Sequence, residues 1–186
     1  MSERNSNNST KNNSTNSLIQ LDSQKISLLD SIISNLELII EENKKLNNYQ
    51  KIIKLQRKLI FSSLKYSKIS LSQYIKRINK YTEMGESTFI IALIYIDRIC
   101  ELSNIILTPF NIHRLICTSV IIAIKYNEDI IYENSFYADI FGIDSEELIL
   151  LELQFLGLIN FNLFIHKNEF NQYHNYLIKL MEAKKD

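Results

Sequence analysis

Three observations predict an all-α fold. Apolar residues recur at steps of three and four along most of the chain. The period-two alternation of a half-buried strand is absent, and the three glycines, Gly85, Gly142 and Gly157, do not punctuate hairpins. Two segments, 86–102 and 112–126, are apolar on nearly every side, so each belongs inside a shell of other helices. Two such helices surrounded by amphipathic ones make a globular arrangement rather than a simple bundle.

Residues 1–17 are mostly Ser, Asn and Thr, with no apolar residue after Met1. Such a stretch cannot offset its ordering entropy, and it is expected to be a disordered tail. Over 23–46, Ile26, Leu29, Ile33, Leu36 and Ile40 form one helical stripe, with Asp22 or Ser23 able to cap its start. The stripe spans only about two heptads, so packing on its own domain is favoured over a coiled coil. Asn47 and Asn48 break it. Residues 49–60 mix Ile and Leu with Lys51, Lys54, Arg57 and Lys58, as in a short amphipathic helix or an ordered connector.

The next helix covers 70–81, with Leu71, Tyr74, Ile75, Ile78 and Tyr81 on one face and Gly85 in the turn that follows. Pro109 and Asn111 mark the junction between the two strongly apolar helices. Asn134 or Ser135 can cap a short helix ending near Gly142. Asp144 or Ser145 can cap another running through Leu158, with Glu146 and Glu147 in its first turn, where the helix dipole favours them. Residues 168–184 form a last amphipathic helix, striped by Phe170, Tyr173, Leu177 and Leu180.

The 186 residues are 46% hydrophobic, enough for one ordinary domain plus extensions. Lys and Arg total 21, as do Asp and Glu, which disfavours nucleic acid as the main partner. The longest apolar runs, about ten residues each, fall short of the ~20 that span a bilayer, so no membrane partner is expected. Cys100 and Cys117 both lie in apolar helical runs and read as buried, reduced thiols. His113, His166 and His174 lack metal-ligand spacing, neither cysteine has an activating neighbour in sequence, and no Gly-rich phosphate loop exists. Catalysis, metal and cofactor are therefore not expected.

Isolated charges inside apolar helices carry the functional signal, because a buried charge needs a partner. Asp97 and Arg98 interrupt one such run, Lys125 ends another, and Glu152 sits between Leu151 and Leu153. Taken singly, each reads as a surface residue. Their order is more specific: an Ile-Asp-Arg helix, an Ala-x-Lys-Tyr helix, then a Leu-Glu-x-x-x-Leu helix ending in Phe-x-Leu. This pattern resembles the cyclin box, and the resemblance covers residues 69–170, with looser similarity upstream to Leu28. It is nearest to the phosphate-pathway, P/U-type cyclins, through segments 69–78, 111–115, 134–138 and 155–161.

The resemblance implies a single five-helix cyclin box over 69–166. Around it stand a tail (1–17), an N-terminal helical extension and connector (18–68), and a C-terminal helix (167–186). It implies a regulatory subunit, not an enzyme, that binds and activates a cyclin-dependent-type Ser/Thr kinase inside the cell. In that family a lysine and a glutamate matching Lys125 and Glu152 grip backbone groups of the kinase's regulatory helix. Tyr126, Leu156, Phe161 and Leu163 resemble the apolar seat beside them. Glu128 and Asp129, of which Asp129 is preferred, match acidic residues that can meet an arginine of the kinase activation segment. Asp97 is expected to be buried and paired with a cation of the first box helix, where the matching position is Lys68 and Arg77 is the alternative. The competing readings are a cyclin-fold transcription-complex or nucleic-acid module, and a structural helical protein without kinase binding.

Overall fold

The computed structural model describes residues 28–183. The expected tail, Ile26, the candidate caps Asp22 and Ser23, and the end of the last helix beyond 183 lie outside them. Among the described residues the chain forms eight helices and no strand. They are α1 (28–44), α2 (Tyr49–Gln56), α3 (Leu71–Thr82), α4 (Glu86–Ser103), α5 (Ile112–Asn127), α6 (Asn134–Phe141), α7 (Ser145–Leu158) and α8 (Lys167–Glu182). Helices α3 to α7 fall within the range expected for the box, and α1, α2 and α8 lie outside that range.

The most deeply buried helix lies at the centre. Every residue of α5 from Leu115 to Ile124 is buried, including Thr118 and Ser119. Those two hydroxyls donate to the carbonyls of Arg114 and Ile116, which satisfies them within the helix. Helix α4 packs along α5, α7 covers another side, and α3 and α6 close the far side. Phe155 of α7 meets Phe61 edge to face, at 5.9 Å between ring centroids, and both are fully buried.

The helix ends show why the elements stop where they do. At α3, Ser70 accepts from the Gln73 amide while the Gln73 side chain accepts from the Ser70 amide, a reciprocal capping box. Asn111 is buried before α5. Its side chain accepts from the Thr108 amide and donates to the Ile106 carbonyl, which folds the preceding loop back on itself. Helix α6 ends at Gly142, whose φ of 70° suits a residue without a Cβ. Its N-cap position is Glu133, one residue before the expected Asn134 or Ser135, and no side chain caps it. Asp144 occupies the N-cap of α7, also without a side-chain bond.

The stripe on α1 is buried as expected from Leu29, Ile33, Leu36 and Ile40, together with Leu28 and Ile32. It packs on its own domain: Ile32 and Leu36 line one small cleft with Leu93 and Ile96 of α4 and Tyr173 and Leu177 of α8. Asp30 of α1 pairs with Lys76 of α3 at 2.8 Å. Of the α8 stripe, Leu177 is buried, Phe170, Tyr173 and Leu180 are half-buried, and Met181 is added.

Candidate functional site

Because α5 packs against α7, the lysine at the end of one helix meets the glutamate in the middle of the other. Lys125 Nζ lies 2.7 and 2.9 Å from the two carboxylate oxygens of Glu152. A cation in the last turn of α5 also suits the negative end of that helix. The side chains are 32% and 14% exposed, so the pair is sheltered yet reachable from solvent.

An apolar surface surrounds the pair. Helix α7 buries Leu148, Leu151 and Phe155, yet Ile149 and Leu153 on its other side are exposed, Leu153 at 62%. Ile149, Glu152, Leu153 and Leu156 stand at steps of three and four, so they share one face. Tyr126, beside Lys125, is half-exposed, and Phe161, beyond the end of α7, is 64% exposed. Leu156 and Leu163 are half-buried against the core. Ile149 and Leu153 were not singled out in the sequence, where helical periodicity alone cannot say which of two apolar faces is the inner one.

The loop carrying Phe161 and Leu163 is clamped to α4. The Tyr95 hydroxyl donates to the Leu163 carbonyl at 2.9 Å. Arg98 donates to the carbonyls of Asn162 (2.7 Å) and Phe164 (2.9 Å), and it meets both carboxylate oxygens of Glu169 on α8 at 2.9 Å. At the head of this loop Asn160 and Phe161 both have φ of 53°. Phenylalanine is costly in the left-handed region. It is held there by the bond from its amide to the Leu156 carbonyl at 2.8 Å.

One expected pairing is corrected. Asp97 is exposed and does not pair with Lys68, which is also exposed, or with Arg77, which donates to the Asp139 carbonyl at 2.7 Å. Its carboxylate instead accepts from the Tyr173 hydroxyl at 2.5 Å. Partial desolvation raises its pKa, the Tyr173 bond offsets part of the rise, and Glu101 adds to it. The ion pair that joins the helices belongs to the next residue, Arg98, with Glu169.

Glu128 is engaged within the fold. Its Oε1 accepts from the Gly85 amide at 2.9 Å and from the Thr88 hydroxyl. Gly85 is the N-cap of α4 and has no side chain to offer, so Glu128 caps that helix from across the fold. Asp129 remains exposed.

Among the described residues no group of three or more His, Cys, Asp or Glu could hold a metal ion. Burial pushes the Cys117 thiol up to about 11 and Cys100 up to about 12, where neither is a ready nucleophile. None of the described helices is long and apolar enough to cross a membrane.

The family model for cyclins matches residues 2–163. The chain belongs to the cyclin family. It is 34% identical over 158 residues to Cyclin-U4-1 of Arabidopsis thaliana, covering 83% of this chain and 78% of that protein. It is 35% identical over 159 residues to Cyclin-U2-1 of the same plant, at 83% and 69% coverage. Cyclin-P3-1 of Oryza sativa subsp. japonica is 36% identical over 114 residues, covering 61% of this chain and 48% of that protein. The resemblance to U- and P-type cyclins therefore holds, and with it a regulatory rather than a catalytic role.

Proposed function

We propose that this cyclin binds and activates a cyclin-dependent-type Ser/Thr kinase inside the cell, as a phosphate-pathway-type member of the family. The observation that carries the reading is the Lys125–Glu152 pair set beside an uncovered apolar face on α7 and the exposed Phe161. A partner helix laid on that face buries Leu153, Leu156 and Phe161. Lys125 then donates to backbone carbonyls and Glu152 accepts from backbone amides, contacts that hold a segment without reading its side chains. With Glu128 committed to α4, Asp129 is the residue that meets an arginine of the activation segment.

Affinity capture from cell lysate tests the reading. The expected product is a proline-directed Ser/Thr kinase. Glu152→Ala weakens its binding by about 1–3 kcal/mol, the range for losing a charge-assisted bond at an interface. Recovery of nucleic acid in place of a kinase, or kinase binding indifferent to Glu152→Ala, overturns it. For Asp129 the measurement is activity of the reconstituted complex with unphosphorylated kinase. Activity falls in Asp129→Ala while binding persists, and unchanged activity removes that role.

A further inference from the structure

A second surface shares no residue with the Lys125–Glu152 face. From Asn43 to Lys68 the chain holds eight Lys and Arg and no Asp or Glu. All eight are exposed. Lys44 and Lys45 pair with Glu41 and Glu42 of α1. The other six, Lys51, Lys54, Arg57, Lys58, Lys65 and Lys68, have no ion-pair partner among the described residues. The rest of the chain carries thirteen basic side chains against all twenty-one acidic ones, so the zero net charge conceals a segregated molecule.

Helix α2 displays the block. Ile53 and Gln56 are buried and Tyr49 and Ile52 half-buried, which fixes the inner face of the helix. Lys51, Lys54 and Leu55 stand on the opposite face and are exposed. Arg57 keeps helical backbone angles, φ −58° and ψ −16°, so Lys58 extends that outer face by one turn. The connector that follows is drawn in beside it. The Arg57 guanidinium lies 5.2 Å from the centre of the Phe110 ring, and Tyr66 stacks on the same ring at 4.4 Å. Aliphatic side chains are interleaved with the cations. Leu55 is 58% exposed, and Leu64, next to Lys65, is 82% exposed. Phe110 lies just ahead of α5, whereas Lys125 lies in the last turn of that helix. The helix between them sets the two surfaces roughly 20 Å apart, so a partner on one leaves the other open.

We propose that this basic surface rests on an anionic phospholipid bilayer. Lys51, Lys54, Lys58 and Lys65 meet the headgroups, and Leu55 and Leu64 enter the interface between them. Clustered cations draw a protein to such a surface, and a few inserted aliphatic groups hold it there. The leucines decide among the anions that could meet these cations. A nucleic acid or a soluble polyphosphate answers the charge and leaves the leucines in water. A bilayer takes both. The expectation of no membrane partner concerned a spanning segment, and none of the described helices is long and apolar enough to be one. A helix face lying on a bilayer needs no such segment. Whatever occupies the Lys125–Glu152 face is thereby held beside the membrane.

The test uses the full chain without a kinase, so it stands or falls apart from the kinase-binding reading. Co-sedimentation follows the protein with vesicles of phosphatidylcholine alone and of phosphatidylcholine mixed with phosphatidylserine. A DNA duplex and inorganic polyphosphate are titrated in parallel. The mixed vesicles bind the protein, more weakly as salt rises, and phosphatidylcholine alone does not. Lys51→Glu with Lys54→Glu weakens vesicle binding by more than about tenfold, since each cation near such a surface contributes about fivefold. Leu55→Ser with Leu64→Ser weakens it by about tenfold with every cation in place. Melting temperatures are unchanged, because all four side chains are exposed. Lys179→Glu, at an exposed site on α8, has little effect. Failure to bind the mixed vesicles, equal binding to phosphatidylcholine alone, an inert leucine pair, or an equal loss from Lys179→Glu each overturns the proposal. Tighter binding of DNA or polyphosphate than of vesicles overturns it as well.

Discussion

Replacing Arg98 by Met keeps most of the aliphatic stem and removes the guanidinium, which isolates what that group contributes. It donates to two carbonyls of the 159–165 loop and to both oxygens of Glu169, and the side chain is only 13% exposed. A bond from a charged donor contributes about 1.5–3 kcal/mol when shielded from water. The two carbonyls remain open to solvent, so water restores most of their share. Glu169 is half-buried and is left as an unpaired carboxylate, which is the costlier loss. The net is about 2–3 kcal/mol, a drop of about 4–12 °C in melting temperature for a chain of this size. The comparison is Asp97→Asn, which keeps an acceptor for Tyr173 and removes a charge that its surroundings disfavour. Its effect stays within about 0.5 kcal/mol. Thermal melts of both variants in the same buffer make the measurement. If Asp97→Asn destabilises as much as Arg98→Met, the assignment of the interhelical tie to Arg98 is wrong.

Phe161→Gly relieves a left-handed backbone and removes an exposed ring, so stability holds or rises by up to about 1 kcal/mol while kinase capture falls. Loss of stability without loss of capture would contradict the assignment of Phe161 to the binding face. Glu128→Ala removes the cap of α4 and costs about 1 kcal/mol in denaturant melts, whereas Asp129→Ala leaves stability unchanged. Burial lowers the pKa of His113 below its ordinary 6.5, with the Ile69 carbonyl opposing part of the shift. The unfolded chain therefore binds the proton first on acidification. Stability is full above 6.5 and falls as pH drops through the lowered value. His113→Gln flattens that slope between neutral and mildly acidic pH, and an identical slope in the variant would refute it.

Much of the site could be read before any coordinates. Lys125 and Glu152 are isolated charges in apolar helices, and the order of their motifs was enough to place them together. The mispairing of Asp97 has a specific cause. Asp97 and Arg98 are neighbours in sequence and point about 100° apart on a helix. Nothing local says which of them finds a partner, because Glu169 lies 71 residues away in a helix marked only by its apolar stripe. Glu128 is an acid at the C-terminal end of its own helix, where the dipole disfavours one. The compensation comes from the positive end of another helix, 43 residues earlier in the chain. One signal was available: α4 begins after a glycine, with no Ser, Thr, Asp or Asn at the N-cap, so its free amides needed an acceptor from elsewhere. The inner and outer faces of α7 could not be told apart, since both are apolar.

The cleft shared by α1, α4 and α8 bears on how the chain comes together during synthesis. Asn35 of α1 and Tyr176 of α8, which approach one another across it, are 141 residues apart in sequence. On the ribosome α1 emerges with its row of isoleucines and leucines long before the helix that completes its cover exists. The box helices can nucleate locally, but docking α1 against α8 must wait until α8 has been made, and such distant closure is slow. Until then the nascent chain shows a sticky stripe to the cell. Truncations ahead of α8 leave the α8 side of that stripe uncovered, so they should be recovered with chaperones or in aggregates rather than as trimmed cyclins.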